Sequence, residues 1–393
     1  MSGASAEAPA DYNLRMRLVV LGPGHPFRGG IATTTTAAVA ALRARGHEVA
    51  FLTPRRQYPE WLFPGRGGGR DPQACPALPG SEAVLDPLFP PAWPRARRAA
   101  EQAGADAWVI PYWTWAWAGC WRYLIGGPRP PVVAVVHNPA DHDAGAMQRR
   151  AARWLLARCD GLFTHAEALA ERLRRDYPEL PCAAHPLPAT STFAPIERAA
   201  ARRALGLPGA GRVALFTGLI RPYKGVDLLL EAAARLPESS DWQLVVAGEA
   251  WGGLGPGLQE RAAKPDLAGR VRLDLRWQSE EELRVLLSAA DLVVLPYRDG
   301  SQSAMAPLVL AAGVPVLSTR VGGLPEVVED GVNGRLVSPG SVDALVDALA
   351  ALGREQLQAL AAGARRGATR LTWAGYATAL EGLLERVSRR GSG

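Results

Sequence analysis

Two positively charged side chains of different type, Arg221 and Lys224, stand in one short turn of this chain. The turn, 218–225, follows the apolar run 213–217 and precedes a helical pattern over 226–234, and its lysine is one of only two among 44 basic residues. Lysine offers a compact point charge and arginine a planar fork, while a helix start adds unpaired N–H groups and a partial positive charge. This arrangement predicts a phosphate-binding turn, and a solvated loop lysine is the alternative interpretation.

A glycine-rich loop follows the first predicted strand, 15–21, and contains Gly29 and Gly30. Glycine lets a backbone approach a ligand closely, so the loop is a candidate cradle for a phosphate or a sugar. It begins G-x-G but lacks the third glycine of a dinucleotide-binding motif. The second strand, 49–53, leads into two arginines rather than into an acidic residue that would hold the ribose of NAD. A dehydrogenase is therefore poorly supported.

His137 stands at the end of the predicted strand 131–136, where a parallel strand would open into a cleft. Its imidazole is placed to donate to a sugar hydroxyl or to a carbonyl of a bound substrate, and the alternative is a histidine that caps or packs the loop. Asp141 and Asp143 follow as a D-x-D pair of the kind that holds a divalent metal between phosphates. Because aspartates also cap ordinary helices, we interpret the pair as a helix start and predict no metal.

A second turn with backbone donors follows the predicted strand 291–296. A helix of small residues begins there, so the N–H groups of Gln302, Ser303 and Ala304 would point at a diphosphate from the side opposite the two cations. Further along, another strand and a tight glycine turn lead into a helix near Glu326. The sequence thus predicts phosphate contacts from two turns of the same half of the chain.

Six aromatic residues crowd one short segment of the first half. In an extended conformation, the alternating Trp113, Trp115 and Trp117 would place three rings on one side. The functional interpretation is a platform for a sugar, an aromatic acceptor or a lipid surface, and the plain one is core packing under the first sheet. Both stay open at this point. The six residues are Tyr112, Trp113, Trp115, Trp117, Trp121 and Tyr123.

Apolar runs alternate with helical patterns twice along the chain, on either side of a proline-rich linker at 186–196. Such alternation predicts parallel sheets with crossover helices, and hence an α/β protein of two Rossmann-like domains. Ligands of open α/β sheets bind at the carboxyl ends of the strands, so the cleft between the two facing domains is the expected site. We assign 1–190 to the first domain, 191–370 to the second, and 371–393 to a C-terminal helix that packs back on the first. The remaining predicted strands are 106–112, 160–164, 182–187, 212–217, 243–248, 271–277 and 314–318, and 64–81 is predicted to be a long loop.

The bulk composition limits the class of protein. With 393 residues, 48% of them hydrophobic and 21% charged, the chain is of globular type and long enough for two domains. A net charge of +6 and a pI near 9.4 suit an anionic substrate or an anionic membrane surface, and we predict no nucleic-acid partner because the arginines are dispersed. The four cysteines show neither zinc nor disulfide spacing, and neither a signal-peptide core nor an apolar stretch of about 18 residues is apparent. We therefore expect a cytoplasmic location.

Four segments together resemble glycosyltransferase family 4, retaining enzymes of the GT-B fold. They are GPGHPFRGGIA in the first loop, HNPADHD after the fifth strand, GLIRPYKGVDLLLEA around the two cations, and AAGVPVLSTRVGGLPEVVEDGVNGRLVSPG. The resemblance covers nearly the whole chain. It implies the GT-B form of the α/β architecture, a nucleotide-sugar donor in the second domain, and an acceptor held against the first.

The resemblance also implies roles for individual residues. Arg221 and Lys224 would bind the donor diphosphate and His137 would lie near the donor sugar, and these three are the predicted catalytic residues. No cofactor or metal is expected, since the nucleotide sugar itself is the substrate. Donor binding is assigned to Gly29, Gly30, Gly218, Arg221, Lys224, Gly248, Gln302, Ser303, Ala304 and Glu326.

One departure from the family concerns two glutamates that usually stand eight positions apart. Aligned on the G-x-P that ends the helix, their positions here are Gly300 and Leu308, so both carboxylates are missing. In the family the second holds the donor ribose and the first lies beside the donor sugar. Ser301, Gln302 and Ser303 are available to replace them with neutral hydrogen bonds. The donor is expected to be UDP- or GDP-linked, and its sugar stays open.

The sequence leaves the acceptor open as well. A polyprenol-linked sugar would suit the basic chain and its tryptophans, and would imply peripheral attachment to the inner face of the membrane without insertion. A small natural product or an exopolysaccharide precursor fits equally well. The missing glutamates also motivate an alternative function, a catalytically silent GT-B subunit that binds a nucleotide sugar. An NADP-linked reductase is a third class, and it lacks support from the first loop.

Overall fold

The computed structural model describes residues 15–57, 69–71, 76–139, 145–367 and 370–391. Within these ranges the chain forms two parallel sheets, of seven and six strands, each flanked by helices. The predicted α/β class is therefore confirmed. The D-x-D pair Asp141 and Asp143 and half of the predicted loop, 64–68 and 72–75, lie outside the described residues.

Short, largely apolar runs of the first half form one parallel sheet. They are β1 (Arg17–Leu21), β2 (Glu48–Pro54), β3 (Ser81–Leu85), β4 (Ala107–Tyr112), β5 (Val132–Val136), β6 (Gly161–Thr164) and β7 (Cys182–Ala184), in the order β3-β2-β1-β4-β5-β6-β7. Strands β4 and β5 are buried along their whole length, as expected for a parallel sheet covered on both faces. The sequence analysis missed the edge strand β3, because only its last two residues are buried.

Helices cover the two faces of this sheet. One face packs against α1 (Gly30–Ala44). On the other face, apolar residues of four helices share one core with Trp108 and Ile110 of β4. These four helices are α2 (Trp93–Gln102), α3 (Ala118–Leu124), α4 (Ala146–Leu156) and α5 (Glu167–Asp176).

The second half repeats the plan after an irregular segment. Its strands are β8 (Arg212–Thr217), β9 (Trp242–Ala247), β10 (Val271–Asp274), β11 (Leu292–Leu295), β12 (Val316–Thr319) and β13 (Gly334–Val337), in the order β10-β9-β8-β11-β12-β13. The sequence analysis did not predict β13, a short edge strand with exposed Arg335 at its centre. The helices are α6 (Arg198–Ala204), α7 (Val226–Arg235), α8 (Leu254–Ala262), α9 (Glu280–Ala289), α10 (Met305–Ala311), α11 (Leu324–Val327), α12 (Val342–Ala351) and α13 (Arg354–Gly367).

The last helix, α14 (Trp373–Gly391), returns to the first sheet, where it packs beside α1. Tyr376 and Leu383 are buried there in the same core as Phe163 of β6. Polar contacts also hold the helix in place; among them, His47 Nε2 lies 2.7 Å from Glu381 Oε1, and Trp373 Nε1 donates to the carbonyl of Ala189 at 2.9 Å. The domain bounds assigned from the sequence stay a prediction.

In each sheet the order of strands reverses between two neighbours, β1 and β4 in the first sheet and β8 and β11 in the second. Loops leaving such neighbours diverge and open a crevice at the carboxyl edge, where ligands of open α/β sheets bind. The two cations follow β8, the turn 301–304 follows β11, and Gly29 and Gly30 follow β1. The fold therefore gathers the predicted site at these crevices.

Candidate functional site

The turn after β8 is shaped by a glycine. Residues Pro222–Lys224 form a 3₁₀ turn, and Gly225 then takes a left-handed conformation with φ of 68° before α7 begins. A Cβ on Gly225 would lie 2.1 Å from the carbonyl oxygen of Pro296, so only glycine lets the turn rest against the end of β11. The N–H of Arg298 donates to the carbonyl of Tyr223 at 2.7 Å and fixes the same contact.

Both cations of the turn face aromatic rings. Lys224 Nζ lies 3.3 Å from the hydroxyl of Tyr297 and 5.0 Å from its ring centroid, and the Arg221 guanidinium lies 4.8 Å from the ring of Trp251. Burial lowers the pKa of Lys224, but interactions with the hydroxyls of Tyr297 and Tyr223 outweigh it and leave the pKa above its usual value. Neither cation pairs with a carboxylate among the described residues. Both charges therefore remain available to an anionic ligand.

Tyr297 connects the cation turn to the turn that follows β11. Its buried hydroxyl lies 3.4 Å from Ser303 Oγ, which accepts from the N–H groups of Met305 and Ala306 at the start of α10. The N–H groups of Gln302, Ser303 and Ala304 donate to no acceptor within the described residues. They are unpaired donors in the turn that Tyr297 links to Lys224, and their contact with a diphosphate stays a prediction.

His137 directly follows β5 and is buried in the first domain, with only 2% of its surface exposed. Its N–H donates to the carbonyl of Tyr112 at 2.8 Å, and its own carbonyl accepts from Ser301 Oγ of the second domain at 2.8 Å. Burial lowers the pKa of the imidazole to about 3, so the ring is neutral at ordinary pH.

The protonated nitrogen of His137 is set by a side chain of the second domain. Gln302 places its amide nitrogen, Nε2, 3.3 Å from Nδ1 of the His137 ring. An amide N–H donates, so Nδ1 accepts and the ring proton resides on Nε2. His137 Nε2 has no hydrogen-bond partner among the described residues. Nε2–H is therefore a buried donor without a described partner.

The contacts form a chain from one domain to the other. The side chain of Lys224 contacts the hydroxyl of Tyr297, and that hydroxyl contacts the hydroxyl of Ser303. The side chain of Gln302, the residue before Ser303, contacts the ring of His137. The structure thus brings the predicted catalytic residues to one place. Tyr297 was missed by the sequence analysis, although its position directly after a buried strand is a usable signal.

The predicted glycines play different parts. Gly29 (φ 113°) and Gly30 precede or begin α1, and a Cβ on either would meet no described atom within 4 Å, so their backbone faces open space. Gly218 borders the ammonium group, since its Cβ would lie 3.8 Å from Lys224 Nζ. Gly248 instead supports Gly218 from behind, because a Cβ there would lie 1.9 Å from the Gly218 carbonyl oxygen.

Glu326 makes contacts that its predicted donor-binding role did not anticipate. Its carboxylate oxygens accept from the N–H groups of Glu167 and Ala168 at 2.7 and 3.0 Å. These groups lie at the start of α5 in the first domain, where a helix favours negative charge. Both hydrogen bonds join the two domains, so the geometry favours an interdomain contact over a donor contact for Glu326.

The two positions where the family has glutamates contain other structure. Gly300 has φ of 154° and its carbonyl oxygen would lie 2.0 Å from a Cβ on Gly322, so two backbone turns touch there. Leu308 is buried in α10. The polar contacts of this turn come instead from Ser301, whose hydroxyl donates to the His137 carbonyl, and from Gln302, whose amide faces the His137 ring.

The tryptophan segment is core packing with two exposed members. The rings of Trp113, Trp117 and Trp121 are buried and contact one another in series at tilted angles, with centroids 4.9 and 5.2 Å apart. Trp115 and Tyr123 are exposed. The expectation of three rings on one side at period two is wrong, because Trp115–Trp117 is a 3₁₀ turn that leads into α3 and places residues four apart on one face.

The described residues contain no group of three or more His, Cys, Asp or Glu side chains arranged to hold a metal ion. None of the helices within the described ranges is long and apolar enough to cross a bilayer.

Comparison with known proteins identifies two family models along the chain. Residues 28–185 match the family described as Glycosyltransferase Family 4, and residues 197–366 match Glycosyl transferases group 1. A D-inositol 3-phosphate glycosyltransferase of Saccharomonospora viridis is 36% identical over 231 residues, which are 56% of this chain and 54% of the relative. The enzyme of the same name from Mycolicibacterium paratuberculosis is 40% identical over 189 residues, 47% of this chain and 42% of the relative. The chain thus spans about half the length of the curated relatives it matches.

Solved structures of similar fold cover almost the whole chain. Sucrose-phosphate synthase from Thermosynechococcus elongatus has a TM-score of 0.73 at 20% identity, over 94% of this chain and 99% of its own. Anabaena HepE, solved in complex with UDP-glucose, has a TM-score of 0.72 at 16% identity, over 96% and 100%. These likenesses confirm the predicted GT-B fold.

Proposed function

The chain belongs to glycosyltransferase family 4, and from that membership we propose that it transfers a sugar from a nucleoside-diphosphate sugar to a hydroxyl acceptor with retention of anomeric configuration. The observation that supports this most is the pair of cations, Arg221 and Lys224, which have no described carboxylate partner. Contacts through Tyr297, Ser303 and the neighbouring Gln302 link Lys224 to His137. A site for a diphosphate needs charge of this sign in a partly buried place.

The proposed reaction breaks the bond between the anomeric carbon and the diphosphate oxygen. Negative charge grows on the departing diphosphate, and Arg221, Lys224 and the N–H groups of the turn 302–304 stabilise it. The acceptor hydroxyl attacks the same face of an oxocarbenium-like sugar, and its proton passes to the oxygen of the leaving diphosphate. A metal ion is not required in this scheme, because the two side chains supply the positive charge.

His137 contributes a neutral hydrogen bond in this proposal. Its Nε2–H would donate to a hydroxyl of the donor sugar, while Gln302 holds the ring in the tautomer that makes this donation available. A neutral ring is suited to the position, since an imidazolium would repel the positive charge that develops on the sugar.

For the donor we propose a UDP- or GDP-linked sugar, and HepE, whose fold is similar, was solved with UDP-glucose. UDP-, GDP- and dTDP-sugars should be compared for their effect on the melting temperature, because a ligand that binds the folded state raises apparent stability. One of the first two classes should stabilise the protein most. The acceptor, a cytoplasmic location and peripheral attachment to the inner membrane face stay predictions.

The decisive experiment replaces one lysine and uses the other as its control. Lys224→Ala should lower the rate of transfer by about 10²–10³-fold, as expected for one lost donor to a developing anion. Lys264→Ala removes the only other lysine, which is exposed beside α8, and should leave the rate unchanged. Equal rates for wild type and Lys224→Ala would remove the basis of the proposal.

The silent-subunit alternative is motivated by Gly300 and Leu308, where the family carries glutamates. It predicts that the isolated protein binds a nucleotide sugar without hydrolysing it. Slow release of the nucleotide by the wild type, abolished in Lys224→Ala, would exclude this alternative.

A further inference from the structure

Exposed apolar side chains concentrate on one part of the first domain. Of the six large apolar side chains that are exposed among the described residues, five lie between positions 88 and 147, and Val332 is the sixth. Met147 is 81% exposed and Phe89 50%. Single exposed apolar residues are ordinary, whereas a group of them on one face marks an interaction surface. The five are Leu88, Phe89, Trp115, Tyr123 and Met147.

The five residues belong to neighbouring elements on one face of the first sheet. Leu88 and Phe89 lead into α2, Trp115 begins the 3₁₀ turn before α3, and Met147 is in the first turn of α4. Helix α3 packs between α2 and α4, and α4 also contacts the 3₁₀ turn. The rings of Trp93 and Tyr123 lie 5.9 Å apart and join α2 to α3. The apolar residues therefore share one side of the molecule.

The same helices have a strong excess of positive charge. Helices α2, α3 and α4 contain seven arginines and one acidic residue, Glu101, which is already paired with Arg97 at 2.7 Å. The excess ends at α5, the next helix on this face, which has three arginines and three acids. The exposed arginines are Arg95, Arg98, Arg122, Arg149, Arg150 and Arg153.

Aromatic and aliphatic side chains mixed with arginine are the composition of surfaces that lie in the headgroup region of a bilayer. Tryptophan and tyrosine settle at the boundary between headgroups and acyl chains, and arginine is attracted to anionic lipids. We propose that the face formed by α2, α3, α4 and the loop at 88–89, here called the basic apolar face, docks on an anionic lipid bilayer without spanning it. This inference assigns a surface to the peripheral attachment predicted from the sequence, and its test is independent of sugar transfer.

Sedimentation of the full chain with lipid vesicles tests the inference. The protein should sediment with vesicles of phosphatidylcholine mixed with phosphatidylglycerol, and much less with phosphatidylcholine alone. Added salt should weaken the binding because it screens the charges. Arg95→Gln and Arg150→Gln should each lower the partition coefficient about fivefold, and Phe89→Ser with Trp115→Ser should lower it further. All four side chains are exposed, so the melting temperature should stay near that of the wild type.

Matched control variants test whether vesicle binding is specific to this face or is nonspecific. Arg175→Gln on α5, Arg203→Gln on α6 and Val332→Ala change the same residue classes at exposed positions elsewhere, and should leave the partition coefficient unchanged. Equal binding to neutral and anionic vesicles, equal loss in these controls, or no binding by the wild type would overturn the inference. Binding to heparin tests the alternative that this face binds a soluble polyanion. That alternative holds, and the lipid assignment fails, if the arginine variants lose heparin binding while Phe89→Ser and Trp115→Ser leave vesicle binding intact.

Discussion

In the proposed mechanism His137 lies beside the donor sugar, and a side chain from the other domain faces its ring. Gln302 faces Nδ1 at 3.3 Å, and burial lowers the pKa of the ring to about 3. A neutral amide leaves this low pKa in place, whereas a carboxylate at the same point would favour the imidazolium. The loss of the family glutamates and the presence of Gln302 are therefore consistent with one requirement, an uncharged donor beside the sugar.

Gln302→Glu should make sugar transfer sensitive to weak acid. The new carboxylate raises the pKa of His137, so the imidazolium forms as the pH falls through that raised value and opposes the positive transition state. Turnover should then fall about tenfold for each pH unit below the new pKa, while the wild-type profile shows no such step from this group. The pH dependence of kcat is the measurement. Gln259→Glu, an exposed position on α8, is the control, and a profile of unchanged shape for Gln302→Glu would refute the positioning role.

At the scale of elements, the site depends on two strand ends that touch. Gly248→Ala places a Cβ 1.9 Å from the Gly218 carbonyl oxygen at a φ of 153°, so the turn after β8 must shift. We expect a loss of about 2–4 kcal/mol in the free energy of unfolding, from backbone strain and overpacking together. Urea denaturation measures it, and weaker nucleotide binding should accompany it because the cation turn moves.

Gly257→Ala supplies the matched comparison. Gly257 lies inside α8, and a Cβ there meets no described atom within 4 Å. Alanine should stabilise that helix by about 0.5–1 kcal/mol. Similar unfolding free energies for the two alanine variants would show that the contact between Gly218 and Gly248 is unimportant.

The elements also show what sequence can reveal and where it fails. Strands such as β4, β5 and β8 were predictable because strands buried on both faces read as continuous apolar runs, and the two cations stood out because they follow β8 directly. The edge strands β3 and β13 lack that signal. The sequence analysis considered an extended conformation for the tryptophan segment, because no local feature of the sequence marks the 3₁₀ turn at Trp115–Trp117. Contacts such as Gln302 to His137 or Glu326 to α5 join residues more than 150 positions apart, and only the folded arrangement of both domains reveals them.

At the scale of the whole molecule, Glu326 contributes to holding the domains together. Its carboxylate accepts from two N–H groups at the start of α5, and Glu326→Ala leaves them without this partner. We expect a cleft that opens more often, measured as a larger radius of gyration in small-angle X-ray scattering, with a change in unfolding free energy of only about 1 kcal/mol. Glu355→Ala, an exposed glutamate in the first turn of α13, should change neither quantity. An unaltered radius for Glu326→Ala would exclude the interdomain role.

The acid stability of the whole protein should depend on a buried pair of histidines. The rings of His137 and His165 lie 4.6 Å apart, and His165 stacks on Tyr376 of α14 at 5.8 Å. The ring of His185 makes an edge contact with Tyr376 at 5.9 Å. Burial lowers the pKa of His165 well below its usual value, with smaller effects of His137 and His185. In the unfolded chain both rings bind protons near pH 6.5, whereas in the folded chain they do not. The free energy of unfolding should therefore fall as the pH drops below about 6.5, by about 1.4 kcal/mol per pH unit for each histidine.

His165→Phe should remove one of these two contributions. Phenylalanine keeps the ring contact with Tyr376 and removes the two buried ring nitrogens. Between about pH 6.5 and pH 5 the variant should lose about 2 kcal/mol less than the wild type, and carboxylates cancel in the comparison because both proteins contain them. Urea unfolding at a series of pH values gives the two slopes. If the slopes coincide, His165 is not the acid-sensitive group.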